Sequence, residues 1–484
     1  MNALARLDHQ YIWHPFTQMQ DWLKREPILL TSGKGALLTD AHGKEYLDAN
    51  SSIWTNLHGH NHPKINEAIQ SQLGKIAHSS ALGFANEPAS VLAEKLVKAA
   101  RLKKSKLRSN RELTKVFYSD DGSTAMEVAL KLAYQFALRT GLSKKPKFLS
   151  LAGAYHGDTI GAVSLGHINL FHKSYSDLLF RSDKAPAPYC YRCPFNRAKP
   201  ERADARDYVK CKRECVSEVD KAFSKQKKRG KPYAAFVFEP LIQGAAGMIA
   251  HPKGYLRESA EIARGSDALL VADEVMTGFG RTGGGHEQLT ATAPLFACHH
   301  ERVQPDLMAL AKGLTGGYLP MAATLSTKRI FDAFLGRYDE FKTFFHGHSY
   351  TANQLGAAAA LASLEILSSK ESLHARQNLE QALHSNLQRL WDIPQVGDIR
   401  QVGLIAGIEL VQDWKTRKAF PLTEQVGIRI CESLARRGVL TRPIGNVIVL
   451  MPPYCTTPAQ VKKMVDALDD SIREIVSSKG SRTC

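Results

Sequence analysis

Short apolar runs alternate with stretches of helical periodicity along much of the chain. Between about Thr114 and Pro320, Val116-Phe117-Tyr118, Ala234 to Phe238 and Ala268 to Ala272 predict short strands buried on both faces, with helical segments such as Ser123 to Leu138 between them. That alternation predicts an α/β fold wound around a mostly parallel sheet. Before about residue 85, the turn-rich TSGKGALLTDAHGKEYLDA predicts a small antiparallel sheet turning at Asp40 to Gly43. After about Ser363 the pattern changes to a long polar helix, a strand over Gly403 to Leu410, a helix ending near Gly438 and a strand over Val447 to Met451. The expected organisation is a large domain over 86–362, with a cysteine-containing insertion near 186–216, and a smaller α+β domain over 363–484 that segment 1–85 joins.

A chain of 484 residues exceeds what one hydrophobic core usually supports, which agrees with two domains. Its 44% hydrophobic and 23% charged residues are those of a soluble globular enzyme. No stretch of about 20 apolar residues and no signal-peptide core occurs, so a cytoplasmic protein with no membrane partner is expected. Net charge is +17, which could serve a polyanion or an anionic substrate. The basic runs Arg101 to Arg111 and Lys221 to Lys231 read as solvated loops instead, and no nucleic-acid partner is expected.

Candidate chemistry begins with Asp273, the first charged residue after the apolar run Ala268 to Ala272, where α/β sheets bind ligands. A buried carboxylate there needs a cation, which a protonated pyridine ring nitrogen supplies; a helix cap or turn is the alternative. A second apolar run delivers Lys312 into the glycine-rich AKGLTGGYLP, where absent side chains let backbone approach a bound molecule. Partial desolvation there lowers a lysine pKa and makes it available as a Schiff-base amine; a surface lysine is the alternative. Gly122 and Ser123, with Thr124, start a helix and form a phosphate cup or an ordinary N-cap. Tyr155 offers a ring to stack on a planar cofactor, and Asp158 a carboxylate to orient a polar group. In the run 346–351, Ser349 offers another phosphate ligand beside Gly347 and His348, whose surroundings lack partners at metal spacing.

Eight cysteines without a secretion signal argue against a disulfide framework. Cys190, Cys193, Cys211 and Cys215 have the spacing of a tetrahedral structural zinc site, with four free thiols in a loop as the alternative. Cys298, Cys431, Cys455 and Cys484 show no such spacing and read as structural.

The order GS, YHGD, EP (Glu239-Pro240), DEVMTGFGRTG, AKGLTGGYLP and HGHSYT resembles the class III aminotransferases of fold type I across nearly the whole chain. That likeness implies a pyridoxal 5'-phosphate enzyme with Lys312 as catalytic amine, and a homodimer in which Ser349 reaches the phosphate of the partner subunit's cofactor. WHPFTQM at 13–19, SSIW at 51–54, the run from Arg442 and Met451-Pro-Pro resemble the branch that aminates 8-amino-7-oxononanoate to 7,8-diaminononanoate in biotin synthesis. The long, carboxylate-ended substrate of that branch implies an apolar tunnel lined by Trp54 and Tyr155, with Gly347 nearby and the Arg442 guanidinium at its far end. Phe16 and Ile53 depart from the tyrosine and tryptophan of many members, and the missing hydroxyl would bond both Asp158 and substrate. The amino donor therefore stands open between S-adenosylmethionine and L-lysine. An ω-amino acid aminotransferase shares the cofactor residues without WHPFTQM or the Arg442 motif, and a non-catalytic binding protein has no use for Lys312.

Overall fold

A computed structural model of the chain describes residues 2–102, 111–284 and 294–477. Most of the basic run Arg101 to Arg111, and Cys484, lie outside the described residues.

The central sheet has seven strands in the order Leu113–Ser119, Ala322–Thr327, Leu307–Leu310, Leu269–Asp273, Tyr233–Phe238, Lys147–Leu151 and Asp183–Ala185. Ala322–Thr327 runs antiparallel to both neighbours, and the other pairings are parallel. Strand periodicity decides which side chains reach which layer. Ala235, Val237, Leu269 and Val271 join one core with the helix Gly122–Arg139, while Phe236, Phe238, Leu270 and Ala272 join another with Glu214–Lys228 and Tyr255–Gly265. Burial on both faces explains why these strands read as unbroken apolar runs rather than alternating ones.

Gly122–Arg139 forms because Asp121 and Thr124 close a capping box and because Ala125, Val128, Ala129, Leu132 and Phe136 recur at helical spacing on its buried face. Each large side chain on that face contributes about 1.5–3 kcal/mol by leaving water.

Among the described residues three smaller sheets complete the fold: the antiparallel pair Ile242–Gln243 and Ile249–Ala250, and two larger ones. Leu30–Lys34, Leu37–Asp40 and Glu45–Asp48 are antiparallel, and Val439–Leu440 adds in parallel to Glu45–Asp48, so the two ends of the chain share one sheet. The turn between the second and third strands is where it was expected: Asp40 accepts from the N–H groups of His42 and Lys44, and Gly43 takes φ +80. Val396–Val402, Ile405–Asp413, Val447–Leu450 and Pro443–Ile444 form the other sheet, alongside Lys370–Leu387, Val426–Arg436 and Pro458–Ser477.

One expectation needs correction. Lys221 to Lys231 is not a loop: the helix Glu214–Lys228 covers most of it, and Cys215, Val219 and Phe223, each four residues apart, bury one stripe that the lysines obscure in the sequence. The helix Gln354–Leu367 precedes the polar one and is buried on nearly all sides, so it carries little amphipathic signal.

Candidate active site

At the carboxyl ends of the parallel strands lies a cavity of about 410 Å³, lined in part by Trp54, Ser123, Tyr155, His156, Glu239, Asp273 and Lys312. Each comes from a different piece of chain. Asp273 ends its strand, Lys312 follows the next one, Glu239 follows Tyr233–Phe238, and Tyr155 and His156 follow Lys147–Leu151. This is where the sheet topology places ligands.

Asp273 is buried and bonded on both oxygens: one lies 2.7 Å from His156 Nδ1, and the other accepts from the Val275 N–H at 3.1 Å. Burial alone would lower the His156 pKa, but the hydrogen bond and charge of Asp273, with Glu239 behind, hold it above the ordinary value. Burial pushes Glu239 up to about 7, with His156 opposing and Asp273 adding, although it accepts from the N–H groups of Tyr155 and Gly244. Burial lowers Lys312 against the opposing pull of Asp273 and Glu239. A desolvated amine beside two carboxylates is suited to nucleophilic and proton-transfer work.

The far wall is an anion cradle. Asp121 takes the Thr124 N–H, which leaves the first N–H groups of the helix, at Gly122 and Ser123, facing the cavity end. Thr124 is not part of that cradle, because its hydroxyl accepts from the N–H groups of Asp120 and Asp121. Ser123 Oγ accepts from the Asp158 N–H at 3.2 Å and keeps its own proton to donate. Gly157 sits at φ +119, and a Cβ there would overlap Ser123. A cradle of backbone N–H groups and the Ser123 hydroxyl, a buried carboxylate and a half-buried amine together fit pyridoxal 5'-phosphate.

Glycines around Lys312 serve a different purpose from the one expected. A Cβ on Gly313 would meet Leu57, and one on Gly317, at φ +86, would come within 2.7 Å of the backbone of Thr55 and Asn56. The chain that packs on this turn is therefore the protein's own segment 54–58. That segment is led in by four successive residues of positive φ: Ser51 (46°), Ser52 (48°), Ile53 (64°) and Trp54 (70°). Trp54 N–H bonds Asn50 O and Thr55 N–H bonds Ser51 O, so this is a left-handed helical turn. Each such residue costs roughly 1–2 kcal/mol, and a β-branched one such as Ile53 is an outlier there. The turn places the Trp54 ring over Lys312 Nζ, 4.7 Å from the ring centre.

Of the other expected residues, Tyr155 shares the cavity with Lys312 and the rest lie apart from it. Tyr155 donates its hydroxyl to Asp158 at 2.7 Å, and burial followed by Asp158 pushes its pKa well up. Phe16 and Asp158 line a neighbouring cavity of about 560 Å³ with His172 and Tyr175, and Phe16 stands edge-on to Phe171. Arg442 is exposed and outside both cavities. Gly347, His348 and Ser349 line neither; His348 Nδ1 stands 3.4 Å from Asp120, and the Ser349 carbonyl meets His78.

Zinc at Cys190, Cys193, Cys211 and Cys215 is not supported. Among the described residues no group of three or more His, Cys, Asp or Glu side chains is placed to hold a metal ion. All four thiols are free, and burial followed by the neighbouring thiols pushes Cys190 up to about 12, while burial pushes Cys215 up to about 11.

Sequence reasoning did not assign His156 or Glu239, although both carried a signal. Glu239 ends an apolar strand just as Asp273 does, and His156 lies between two residues that were singled out.

Relatives extend over the whole chain. It is 45% identical to the adenosylmethionine-8-amino-7-oxononanoate aminotransferase of Geobacter sulfurreducens, over 98% of each chain. The crystal structure of the enzyme so named from Methanocaldococcus jannaschii matches with a TM-score of 0.86 at 40% identity, covering 97% of this chain and 98% of that one. An omega transaminase from Pseudomonas jessenii in complex with PMP matches with a TM-score of 0.87 at 26% identity, over 99% of this chain and 100% of that one. The family model described as aminotransferase class-III spans residues 19–472, and the chain belongs to the class III aminotransferases.

Proposed function

We propose that this enzyme transfers an amino group to 8-amino-7-oxononanoate, giving 7,8-diaminononanoate for biotin synthesis, with pyridoxal 5'-phosphate on Lys312 and S-adenosylmethionine or L-lysine as donor. The observation that carries the reading is the meeting of Lys312 and Asp273, from neighbouring strands, in one buried cavity. The full-length likeness to enzymes named for that acceptor selects the substrate. When bound, the cofactor supplies an electron sink for the substrate carbon.

The chain's own groups do the rest. Asp273, backed by His156, keeps the ring nitrogen protonated, and Gly122 and Ser123 hold the phosphate through N–H and O–H donors. Lys312, as a free amine, would take and return the proton at the substrate carbon, helped by the burial that lowers its pKa. Trp54 and Tyr155 give apolar walls for a methylene chain, and Asp158 holds the Tyr155 hydroxyl. In a homodimer, Ser349 of the partner subunit completes the phosphate site, with Gly347 and His348 of the partner subunit beside it. Arg442 meets the terminal carboxylate of the acceptor through its planar fork. No helix among the described residues is long and apolar enough to cross a membrane, and a cytoplasmic setting suits the proposed role.

The test mixes purified holoenzyme with S-adenosylmethionine or L-lysine and follows the cofactor absorbance. One donor is expected to convert the cofactor, and 8-amino-7-oxononanoate to restore it. Conversion by an ω-amino acid such as 4-aminobutyrate, with neither of those donors active, would leave the family assignment standing and remove the biotin one.

A further inference from the structure

A strained backbone persists only where its surroundings over-determine it, and such strain gathers at working sites. The left-handed turn Ser51–Trp54 is held mainly by one side chain. Asp48 Oδ1 accepts from the N–H groups of Asn50 at 3.2 Å and Ser52 at 3.1 Å. Asp48 Oδ2 accepts from Ser52 Oγ at 3.1 Å and faces His60 Nε2 at 2.9 Å. His60 is itself oriented: its Nδ1 faces the Asn56 amide at 3.1 Å, which makes Nε2 the protonated nitrogen that donates to Asp48. Ser51 Oγ adds a bond to the Met451 carbonyl.

Trp54 needs this help. Its ring packs against Gly244, and its indole Nε1 has no hydrogen-bond partner, so no polar contact of its own fixes the ring. Backbone conformation aims it, and it is aimed at Lys312. The turn continues directly into Thr55 and Asn56, which pack on Gly317 of the lysine's own loop, so any relaxation of the turn is passed on to Lys312 from two sides.

We propose that Asp48, with His60, is a positioning residue of the active site: by holding Ser51–Trp54 left-handed it keeps the Trp54 ring over Lys312 and water away from that amine. The proposal rests on the reading of Lys312 as the reactive amine and not on the identity of the acceptor. Asp273 and Glu239, whose charges act on Lys312, and His156 behind Asp273 are left in place by every variant below.

Two sets of variants test it. Ile53 is exposed, and Ile53→Gly and Ile53→Ala remove its side chain alike, but only glycine is at ease at φ +64. Ile53→Gly is expected to melt above Ile53→Ala, the reverse of their order in a right-handed helix. In cofactor-free protein, the pH dependence of Lys312 labelling by an amine reagent, read by mass spectrometry of its peptide, reports the exposure of the amine. Asp48→Ala is expected to move that midpoint towards an ordinary lysine and to lower kcat/KM for the amino-transfer half-reaction roughly tenfold or more, corresponding to about 1.4 kcal/mol. Asp48→Asn still accepts from both N–H groups through Oδ1 but turns an NH2 towards the His60 Nε2–H, so it should fall between Asp48→Ala and the wild type in both properties. The double variant Asp48→Ala/Ile53→Gly, in which glycine removes the strain that Asp48 opposes, should recover part of the labelling midpoint.

A lower melting temperature for Asp48→Ala with an unchanged Lys312 midpoint and kcat/KM makes Asp48 merely structural and overturns the proposal. Should Asp48→Ala fail to fold, the Ile53 pair decides: Ile53→Gly melting below Ile53→Ala shows that the turn does not carry left-handed strain and overturns the proposal equally. Movement of the labelling midpoint without any turnover of 8-amino-7-oxononanoate leaves this inference intact and removes only the assigned acceptor.

Discussion

Replacing His156 by leucine removes the partner of Asp273 while keeping an apolar side chain of comparable reach in a fully buried position. In the wild type the two meet at 2.7 Å with His156 fully buried and Asp273 nearly so, so solvent does little to weaken the interaction. A hydrogen bond to a charged group contributes about 1.5–3 kcal/mol, and leaving a buried carboxylate without its partner costs in the same range or more. If that loss falls on the orientation of Asp273 towards the cofactor nitrogen, kcat/KM for the amino-transfer half-reaction should drop roughly ten- to a hundredfold. His156→Asn, whose amide can still donate to Asp273, should lose less. Stability has its own signature. Because the folded pKa of His156 is raised, its contribution is complete below the ordinary histidine value and is lost as pH rises through the folded one. The melting difference between wild type and His156→Leu is therefore largest below the ordinary histidine value and shrinks as pH rises above it. A kcat/KM within twofold of wild type for His156→Leu, with a melting difference that does not vary with pH, would refute the assignment.

Glu239, pushed up to about 7 by burial, carries a charge in the folded state only at a cost, so its contribution to stability is lost as pH rises from the ordinary carboxylate range through 7. Glu239→Gln should therefore gain in melting temperature relative to wild type as pH rises from the ordinary carboxylate range to about 7 and hold that gain above it, and a constant difference across that range would show that burial does not control this carboxyl. Gly317→Ala places a methyl within 2.7 Å of the Thr55 and Asn56 backbone at φ +86; it should lower stability by more than about 1 kcal/mol in a denaturant titration, where a neutral result would mean that segment 54–58 sits elsewhere. Lys312→Ala should lose roughly 10²-fold to 10⁴-fold or more in turnover, as removal of the general acid–base group requires, while a binding protein would be indifferent to it.

The strands that end in Asp273 and Glu239, the one that precedes Lys312, and the helix start at Gly122 were legible because each is a local event: an apolar run of a few residues, then the first polar one, or a capping pattern spanning four positions. Local signals of this kind survive in one dimension since the backbone's own geometry produces them. The pairing of His156 with Asp273 joins residues 117 positions apart, and Asp48 reaches Lys312 only through a turn and a ring, so neither could be read from spacing. Glycines near Lys312 were legible as a demand for close approach, but whether ligand or chain makes that approach depends on how segment 54–58 folds back. The same limit applies to the four clustered cysteines, whose spacing suits a metal while their arrangement in the fold does not. The order of apolar and polar residues along this chain determined which atoms emerge at the strand ends. Only tertiary packing decided which of them meet, because burial, and with it the strength of every charge in the cavity, is a property of the assembled layers rather than of any one segment.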